Sequence, residues 1–593
     1  MHGIRRVMIE NFRSCTRFEA ELADFTVLVG YNNAGKSNVL GAIRWGLKGG
    51  ALGPADFNDR SAPVRVELSV IGIDESVLAG VVEEHRRKLS VFVEGDVLRL
   101  RRTQATPTGG AKAVTLEIWR PGGDWQSNPA GIPAALDALL PEPIEIRAME
   151  DAGEDVSKFK SGTTIGRLLG ELAKPVETSY GDVLTNALEQ FGRRLGAEGV
   201  ERVPELYAID TAANDALCDL FPGLSIRVHI PAPELKEVFK AGTIKVYEAA
   251  AEGGRDVSAV GHGAQRSIQM ALVRVLAERG RSESDATSRT LLLVDEPELY
   301  LHPQGVEQTR EALKTLSRGQ YQVLVSTHSP LMIAPEDAST AILVHKQAGQ
   351  GTKARARLGD AVRHALAAGV AQKELLFELS RLGEVLFSDR ILLVEGKTEQ
   401  RLMPELFARV TGRTLRSARV GFVPLGSSGD IPGAKRILEA MGLNVRAVVD
   451  LDFAFKVAPA VGIVQADDSR IEGVRARSKA LGPSLGFNTG DDGFPCKGGR
   501  LTAETAWEEL AKDEDVRREI EALHPEFRKR GIWFWRSGAF EAVLGVDGKR
   551  SATHAGLLER LSSASVEDCV ADASSLEECL RWISEPWTND PAE

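Results

Sequence analysis

The chain has 593 residues, more than one compact domain, and its 43% hydrophobic and 26% charged content allows cores of ordinary size. No signal peptide opens the sequence, no run of about 18 apolar residues could span a membrane, and the five cysteines are scattered without a CxxC pair. These features exclude a membrane-spanning or disulfide-stapled protein and predict a cytoplasmic one with no membrane partner. The net charge of −11 leaves nucleic-acid binding open, because a local basic groove is invisible in a global count.

A phosphate-binding loop follows the first strongly apolar segment. Residues 25–30, FTVLVG, predict a short buried strand, and the residues after it complete the Walker A pattern GxxxxGKS at 30–37. In this pattern, backbone N–H groups surround the phosphates of ATP, the lysine reaches the β- and γ-phosphates, and the serine hydroxyl ligates Mg²⁺. The helix that follows adds its dipole. The predicted nucleotide ligands are Gly30, Asn32, Asn33, Gly35, Lys36, Ser37 and Asn38.

The partner strand of this loop lies far along the chain. Residues 290–297, TLLLVDEP, have the Walker B pattern, an apolar strand that ends in two carboxylates. Asp295 is predicted to hold Mg²⁺ through water, and Glu296 to polarise the attacking water. The alternative is an ordinary buried strand with acidic residues at its exit, and the Walker A loop in the same chain argues against it.

Two more motifs narrow the class of nucleotide-binding protein. GHGAQRS at 261–267 opens a helical stretch shortly before the Walker B strand, which is the place of an ABC signature containing Gly263. VLVSTHSP at 323–330 predicts another strand, and His328 at its end is predicted to contact the γ-phosphate.

These motifs, together with IENFRS at 9–14 and ELYLHP at 298–303, resemble the ATPase heads of the OLD, RecF and SMC group. In such heads two protomers sandwich ATP, so the resemblance implies a homodimer or higher homo-oligomer in which Gly263 acts on the partner's nucleotide. Heads of this group carry a coiled-coil or dimerisation insert where this chain has a helical stretch from about Ile165 to Leu217. Its length favours a compact helix pair over a long arm.

Two further strands each end in carboxylates. RILLVE predicts a buried strand that ends in Glu395, and the helix after it carries Glu399 in its first turn. RAVVDLD predicts a second strand, on which Asp450 and Asp452 face one way while Leu451 faces the other. Because sites in an open parallel sheet form beyond the carboxyl ends of the strands, we expect the four carboxylates to converge.

The expected chemistry of this acidic centre is metal-dependent. Like charges that close repel one another strongly unless cations intervene, and all-oxygen ligands favour Mg²⁺ or Mn²⁺. Two such ions can activate water and stabilise the leaving oxygen in phosphodiester cleavage. Solvated strand ends are the alternative interpretation of each acidic cluster. Across both halves of the chain, the predicted metal ligands are Glu395, Glu399, Asp450, Asp452, Ser37 and Asp295.

The order VEGxxE followed by DxD resembles the Toprim domain, and VPLGSSGD at 423–430 matches the Toprim layout of OLD proteins. IWFWRSGAFE at 532–541 resembles the last Toprim strand of OLD nucleases, where a basic residue and a glutamate assist the metal site. By this resemblance Glu541 takes the glutamate's role, and Arg536 or Lys549 supplies the cation.

Four other residues near these motifs have simpler interpretations. Trp533 and Trp535 are expected to pack in the core of the domain. Asp467 and Asp468 either touch a second metal ion or lie in a solvated loop.

The expected fold is α/β, an ABC-type ATPase head with a helical dimerisation insert, followed by a Toprim Rossmann-like parallel-sheet domain. The expected cofactors are ATP with Mg²⁺, and two Mg²⁺ or Mn²⁺ ions at the Toprim centre. The expected boundaries are 1–163 for the N-terminal part of the ATPase, 164–220 for the insert, 221–375 for the C-terminal part of the ATPase and 376–593 for the Toprim nuclease domain.

Other activities associated with Toprim centres lack their partner residues. A topoisomerase needs a nucleophilic tyrosine, and the last of the six tyrosines is Tyr321, so none follows the acidic centre. A primase would be expected to bring a zinc-binding module, and no Cys/His cluster is present. HNH-type cleavage is disfavoured because the histidines after residue 375 are His524 and His554 alone.

As a whole the chain resembles OLD-family nucleases, which include the ATPase–nuclease subunit of Gabija anti-phage systems. The resemblance implies metal-dependent nicking or cleavage of DNA, with ATP binding controlling assembly or access, in phage defence or DNA processing. It also implies a helicase partner encoded nearby. The alternative function is a DNA repair or recombination ATPase that clamps DNA and carries a non-catalytic Toprim domain.

Overall fold

The chain forms two compact units, which are described separately. The first comprises Met1–Arg13, Glu21–Thr26 and Ser37–Thr327, and the second Ser14–Ala20, Val27–Lys36 and His328–Glu593. Among the described helices, none has the length and apolar character that a membrane span requires. The predicted site residue Lys549 lies outside the described residues. The computed structural model describes residues 2–140, 143–148, 164–218, 221, 223–232, 243–248, 253–279, 289–319, 321–347, 349–365, 383–388, 390–546 and 551–587.

Strands and helices alternate along much of the chain, which confirms the predicted α/β class. The strands are β1 (Gly3–Phe12), β2 (Cys15–Glu21), β3 (Phe25–Val29), β4 (Val64–Ile71), β5 (Val93–Glu94), β6 (Val97–Gln104), β7 (Val114–Arg120), β8 (Asp124–Ser127), β9 (Ile144–Ile146), β10 (Lys245–Val246), β11 (Arg255–Asp256), β12 (Thr290–Asp295), β13 (Tyr321–Thr327), β14 (Ile342–Gln347), β15 (Gly351–Ala354), β16 (Arg390–Val394), β17 (Val420–Pro424), β18 (Asn444–Val449), β19 (Asn488–Thr489), β20 (Pro495–Cys496) and β21 (Ile532–Phe534).

The α-helices are numbered in the same way. They are α1 (Lys36–Lys48), α2 (Glu75–Ala79), α3 (Glu83–Ser90), α4 (Ile132–Leu139), α5 (Thr164–Leu195), α6 (Pro204–Cys218), α7 (His262–Arg279), α8 (Pro303–Ser317), α9 (Pro335–Ala338), α10 (Leu358–Ala365), α11 (Gly383–Phe387), α12 (Lys397–Thr411), α13 (Ile431–Ala440), α14 (Ala458–Ala460), α15 (Ser469–Leu485), α16 (Ala503–Ala511), α17 (Glu514–Lys529), α18 (Phe540–Leu544), α19 (Ser551–Ser563), α20 (Val566–Cys569) and α21 (Ala573–Ser584).

The first unit contains an antiparallel sheet built from alternating sequences. In β4, VRVELSVI, every second side chain is buried, as expected for a strand with one face on a core. Strand β4 pairs with β1 on one side and with β6 on the other, so that Val66 lies opposite both Ile9 and Arg102. Strands β7 and β8 extend the sheet beyond β6.

Three parallel strands of the first unit carry the Walker B motif. Strand β12 lies between β9 and β13, with Leu292 opposite Ile144 and Asp295 opposite Ser326. The strands β12 and β13 are buried along nearly all of their length, which is typical of parallel strands covered on both faces. Helix α8 packs on β13 and α7 packs on α8.

Helices α5 and α6 of the first unit form the helical insert that the sequence predicts between the ATPase motifs. The connection between them is fixed by Arg202, whose guanidinium pairs with the buried Asp210 at 2.6 Å. Arg202 also donates to the carbonyl oxygens of Gly196 and Val228. Removing either partner would leave a buried charge unpaired, which is costly. This ion pair therefore stabilises the turn between the two helices.

The second unit contains the Walker A strand and a separate parallel sheet. Strand β3 pairs in parallel with β14, and β14 pairs with β15 in the antiparallel sense. The separate sheet has the order β17-β16-β18-β21, and all three pairings are parallel. The carboxyl ends of its four strands therefore lie at one edge of the sheet.

An aromatic core anchors strand β21. Trp533 and Trp535 are fully buried, which confirms their predicted core packing. Trp535 stacks on Phe540 with ring centroids 5.1 Å apart. Trp533 and His524 form a T-shaped pair with ring centroids 4.4 Å apart. Burial, followed by the charges of nearby arginines, lowers the pKa of His524 to about 3. His524 is therefore a neutral core residue at neutral pH.

Truncating Trp535 tests this core. Trp535→Ala is expected to lower the free energy of unfolding by about 3–5 kcal/mol because it leaves a large cavity. Trp535→Phe should cost clearly less, because it keeps the stacking on Phe540 and removes an indole N–H that has no hydrogen-bond partner among the described residues. The measurement is urea denaturation followed by circular dichroism, with the half-buried Trp125→Ala as the control. Equal losses for the two Trp535 variants would contradict this account.

Candidate active site and nucleotide-binding loop

The Walker A lysine and the predicted sensor histidine lie together. Lys36 is buried, and its Nζ donates to the carbonyl oxygens of Gly30 at 3.0 Å and Tyr31 at 3.2 Å. The same Nζ lies 3.1 Å from Nε2 of His328. The structure therefore brings the two side chains predicted to contact the terminal phosphates to one point.

Close backbone approach explains the glycines of the loop. A Cβ on Gly30 would overlap the carbonyl oxygen of Val344, and a Cβ on Gly35 would overlap the Thr352 hydroxyl. Gly35 also has a φ of 101°, which L side chains rarely adopt. Asn33 has a φ of 68°, a conformation that asparagine tolerates better than most residues. Of the other predicted ligands, Asn32 is exposed and Asn38 lies half-buried in the first turn of α1.

The predicted magnesium ligands of the Walker motifs are also in contact. The Ser37 hydroxyl donates to Oδ1 of Asp295 at 3.0 Å. Ser326, at the end of β13, donates to the same oxygen, and its carbonyl oxygen accepts from the backbone N–H of Glu296 at 3.0 Å. Glu296 has a φ of 47°, so the residue predicted to polarise water has a strained backbone. Sequence reasoning missed Ser326, although it directly precedes the Thr-His of the sensor strand.

The signature helix α7 holds the exit of the Walker B strand. Nη2 of the buried Arg266 donates to the carbonyl oxygens of Asp295 at 3.1 Å and Glu296 at 3.0 Å. Gly263 is the second residue of α7, and a Cβ there would lie 3.4 Å from the carbonyl oxygen of Tyr300. Sequence reasoning missed Arg266. Its position one helical turn after Gly263 is the sequence feature that could have indicated it.

Carboxylates at the edge of the four-stranded sheet share a cavity of about 550 Å³. Glu395 follows β16, while Asp450 and Asp452 follow β18, and all three line this cavity. Oε1 of Glu395 accepts from the backbone N–H of Asp450 at 2.9 Å, and Oδ1 of Asp450 accepts from the backbone N–H of Phe540 at 3.1 Å. These hydrogen bonds connect the residue after β16, the residue after β18 and the first residue of helix α18, which follows β21.

The local backbone of the DxD motif differs from the prediction. Strand β18 ends at Val449, and a helical segment begins directly after Asp450 and includes a π-helix over Phe453–Val457. Asp450 and Asp452 therefore share a cavity because of this turn and not because of alternation along a strand. Leu451 is buried, and its N–H donates to the carbonyl oxygen of Gly538 at 2.7 Å.

Two other predicted site residues lie in the interior. Glu399 and Glu541 are each 4% exposed, and neither lines the cavity. Oε1 of Glu541 accepts from the Thr398 hydroxyl at 2.5 Å, which links α18 to the helix that carries Glu399. Of the four carboxylates expected to converge, three line the cavity, while Glu399 is buried in the first turn of α12.

One segment that lines the cavity was missed by sequence reasoning. It is the segment 497–504, which contributes Lys497, Arg500 and Glu504. The sequence feature that could have indicated this segment is Thr502. It caps α16 by accepting from the N–H of Thr505 at 3.1 Å. A glycine pair before a cap and a helix is typical of a tight loop.

The acidic groups around this cavity influence one another. The pKa of Glu508 is raised above its usual value, first by burial and then by the charge of Glu504, with a smaller contribution from Glu541. A Cβ on Gly538, which also lines the cavity, would lie 2.7 Å from Cγ of Glu508. Burial and the neighbouring carboxylates therefore favour the protonated form of Glu508.

Arg536, one of the two predicted cations, is engaged away from the cavity. Its Nη2 donates to Glu578 at 2.6 Å and its Nη1 to Glu521 at 3.2 Å, and its guanidinium lies over the ring of Trp533. Arg536 does not line the cavity. The other predicted cation, Lys549, lies outside the described residues.

The remaining candidates are structural or exposed. Asp468 caps α15 and pairs with Arg470 at 2.7 Å, and this hydrogen bonding lowers the pKa of Asp468. Asp467 is exposed and does not line the cavity. His554 is buried, and neither His554 nor His524 lines the cavity.

The donor chemistry of the cavity fits a hard divalent cation. The carboxylate oxygens of Glu395, Asp450 and Asp452 are the ligands that Mg²⁺ and Mn²⁺ prefer. Within the described part of the chain, no group of three or more His, Cys, Asp and Glu side chains is gathered tightly enough to hold a metal ion. The three carboxylates thus share a cavity without forming a closed set of ligands.

Comparisons with known proteins match two domain families along the chain. Residues 3–58 and 223–333 match the AAA ATPase domain family, and residues 386–452 match the TOPRIM domain of the overcoming lysogenization defect protein-like family. The chain is also similar to a solved structure of an SMC head bound to the C-winged helix domain of ScpA, at 18% identity, with a TM-score of 0.37 and coverage of 61% of this chain and 99% of that one.

Two curated relatives extend over most of the chain. The Old nuclease of Escherichia phage P2 is 34% identical over 585 residues, which are 97% of this chain and 99% of that protein. The OLD nuclease of Thermus scotoductus (strain ATCC 700910 / SA-01) is 23% identical over 423 residues, which are 68% of this chain and 74% of that protein. The two domain families imply the use of a nucleotide and of divalent metal. The chain belongs to the OLD nuclease family and combines an AAA ATPase domain with an OLD-like Toprim nuclease domain.

Proposed function

We propose that this protein is an ATP-binding and ATP-hydrolysing DNA endonuclease that nicks or cleaves DNA by metal-dependent phosphodiester hydrolysis. The observation that carries the proposal is the cavity at the carboxyl edge of the parallel sheet, where Glu395, Asp450 and Asp452 meet. Sites in open parallel sheets form at this edge. The Toprim match includes all three residues.

The metal ligands in this proposal are Glu395, Glu399, Asp450 and Asp452, with Glu541 assisting. Two Mg²⁺ or Mn²⁺ ions bound there would supply an activated water and stabilise the leaving oxygen. The protein's own part is to fix the carboxylates, and the hydrogen bonds from Asp450 N–H to Glu395 and from Phe540 N–H to Asp450 support this.

Water is the nucleophile that the cavity favours. Among the described residues that line it, none is a tyrosine, and its one hydroxyl side chain belongs to Thr502. That hydroxyl accepts from the N–H of Thr505 and caps helix α16. A covalent enzyme–DNA intermediate on tyrosine is therefore disfavoured, in favour of direct hydrolysis.

In the ATPase half, Lys36 and Ser37 would bind the phosphates and Mg²⁺, with Asp295 behind Ser37. Glu296 would polarise the attacking water, and Gly263 would act on the nucleotide of a second protomer. The contact of 3.0 Å between Ser37 and Asp295 supports this assignment. We propose that the two parts of the ATPase are residues 1–163 and 221–375. The insert is 164–220, and the nuclease domain is 376–593.

The proposal includes a homodimer held by the helical insert, because large apolar side chains are exposed there. Large exposed apolar patches commonly mark protein–protein interaction surfaces. The exposed residues are Tyr180, Val183, Phe191, Val200, Tyr207 and Ile209. The resemblance in motif order extends the proposal to phage defence or DNA processing, with a helicase encoded nearby as a partner.

The nuclease proposal is tested on supercoiled plasmid with Mg²⁺ or Mn²⁺. Asp450→Asn is expected to reduce nicking by at least about 100-fold, because it removes a charge from the proposed metal ligands. Asp515→Asn, an exposed change of the same type on α17, should nick like the wild type. Chelation by EDTA should stop nicking, and added Mn²⁺ should restore it.

Two results would contradict the nuclease proposal. One is a wild-type protein that nicks no DNA with either metal, and the other is an Asp450→Asn variant as active as the wild type. Either result would favour the alternative, a repair or recombination ATPase that clamps DNA with a non-catalytic Toprim domain.

ATP turnover is tested with two substitutions in the Walker motifs. Lys36→Ala is expected to lower phosphate release by about 100-fold or more through loss of nucleotide binding, and Glu296→Gln should lower it without that loss. Lys48→Ala, at the other end of helix α1, is the matched control and should turn over ATP normally. Unchanged turnover in both Walker variants would refute the assignment of these motifs.

The dimer is tested with charges on the insert. Val183→Glu combined with Tyr207→Glu should convert the dimer to a monomer, because buried unpaired carboxylates oppose association. Val82→Glu is the control, since Val82 is 65% exposed in the first unit outside the insert. Light scattering after size exclusion gives the mass of each variant. A wild-type monomer, or a double variant that stays dimeric, would rule out this interface.

A further inference from the structure

The acidic cavity has a basic side. Lys497 and Arg500 line it together with Glu395, Asp450 and Asp452. Both cations belong to the short loop between β20 and α16, and both are exposed. A polyanion that approaches the carboxylates would therefore meet these two positive charges in the same cavity.

Neither cation has an ion-pair partner among the described residues. In the described part of the chain, neither Lys497 nor Arg500 forms an ion pair, and the one side-chain hydrogen bond is a long one of 3.4 Å from Arg500 to the carbonyl oxygen of Leu485. Several other arginines of this domain form ion pairs, for example Arg477 with Asp513 at 2.7 Å. The two cavity cations thus remain available for an external anion.

The loop that carries them is fixed at both ends. Before it, Lys456 donates to the carbonyl oxygen of Pro495 at 2.6 Å. After it, the N–H of Leu501 donates to the carbonyl oxygen of Gly486 at 3.1 Å. Between the cations, a Cβ on Gly499 would lie 2.8 Å from Cα of Phe487, so the backbone is packed closely there. The cations therefore stand on an anchored loop.

Charge and geometry together indicate a phosphodiester ligand. Carboxylates alone repel a nucleic-acid strand, whereas cations beside them attract its phosphates. Arginine binds a phosphate through two N–H groups, and lysine does so as a point charge. We propose that Lys497 and Arg500 bind backbone phosphates of the DNA strand that is cut in the carboxylate cavity. This inference rests on the proposed nuclease function and assigns the residues that position its substrate.

The direct test is DNA binding by the full chain in Ca²⁺, measured by fluorescence anisotropy with a labelled duplex over a range of salt concentrations. Lys497→Gln combined with Arg500→Gln should weaken binding by about 10-fold. It should also reduce the slope of log Kd against log salt by about 2, since each phosphate contact contributes about 0.9. In plasmid nicking, KM should rise while kcat stays within about twofold.

The matched control is Lys512→Gln combined with Arg518→Gln. These cations are exposed, pair with Glu509 and Asp515, and do not line the cavity. The control removes the same net charge, so it should leave Kd and the salt slope unchanged. Equal weakening in both double variants would mean a general charge effect and would overturn the inference.

The single variants Lys497→Gln and Arg500→Lys separate phosphate binding from a structural role. Arg500→Lys keeps the charge and should keep the wild-type salt slope. A slope lowered as much by Arg500→Lys as by Arg500→Gln would overturn the assignment of Arg500. An unchanged slope in Lys497→Gln would overturn that of Lys497, whose side chain makes no hydrogen bond in the described structure.

Failure of the inference differs from failure of the proposed function. Wild type that nicks plasmid, with a Lys497/Arg500 double variant that binds DNA normally, refutes the inference and leaves the nuclease intact. Wild type that nicks nothing, with DNA binding lost specifically in that double variant, refutes the nuclease and retains the phosphate-binding cations.

Discussion

The parallel register of strands β17, β16, β18 and β21 is the constraint on which the carboxylate site depends. Val394 lies opposite both Pro424 and Val448, and Val449 lies opposite Phe534, so the residues that follow these strands emerge at one edge. Backbone N–H groups then hold the carboxylates in place: the N–H of Asp450 donates to Glu395, and the N–H of Phe540 donates to Asp450. The aromatic core under β21 keeps that edge in place.

The Walker B motif obeys the same rule. Strands β12 and β13 are parallel, and their register places Asp295 opposite Ser326. The serine hydroxyl therefore donates to the carboxylate, and its carbonyl oxygen accepts from the N–H of Glu296. Arg266 then holds both carbonyl oxygens at the strand exit. In each site an acidic motif becomes a structured centre through the ends of adjacent parallel strands.

The distribution of charge gives the carboxylate cavity its chemical character. A net charge of −11 taken alone leaves nucleic-acid binding open, because binding depends on the local field. Carboxylates suited to divalent metal line the same cavity as two cations that form no ion pair in the described part of the chain. Arg536, the cation suggested by motif order, is paired with Glu578 and Glu521.

The sequence by itself determined the motifs whose geometry is local. The Walker A loop, the Walker B strand and the strand before Glu395 each depend on a few contiguous residues, and the α/β class follows from their order. The tertiary structure decided which distant residues join them. The segment 497–504 lines the same cavity as Glu395, although about a hundred positions of chain separate them, and no local pattern encodes that arrangement. The turn after Val449 likewise replaced the predicted alternation, because the N–H of Leu451 pairs with the distant carbonyl oxygen of Gly538 and not with a neighbouring strand.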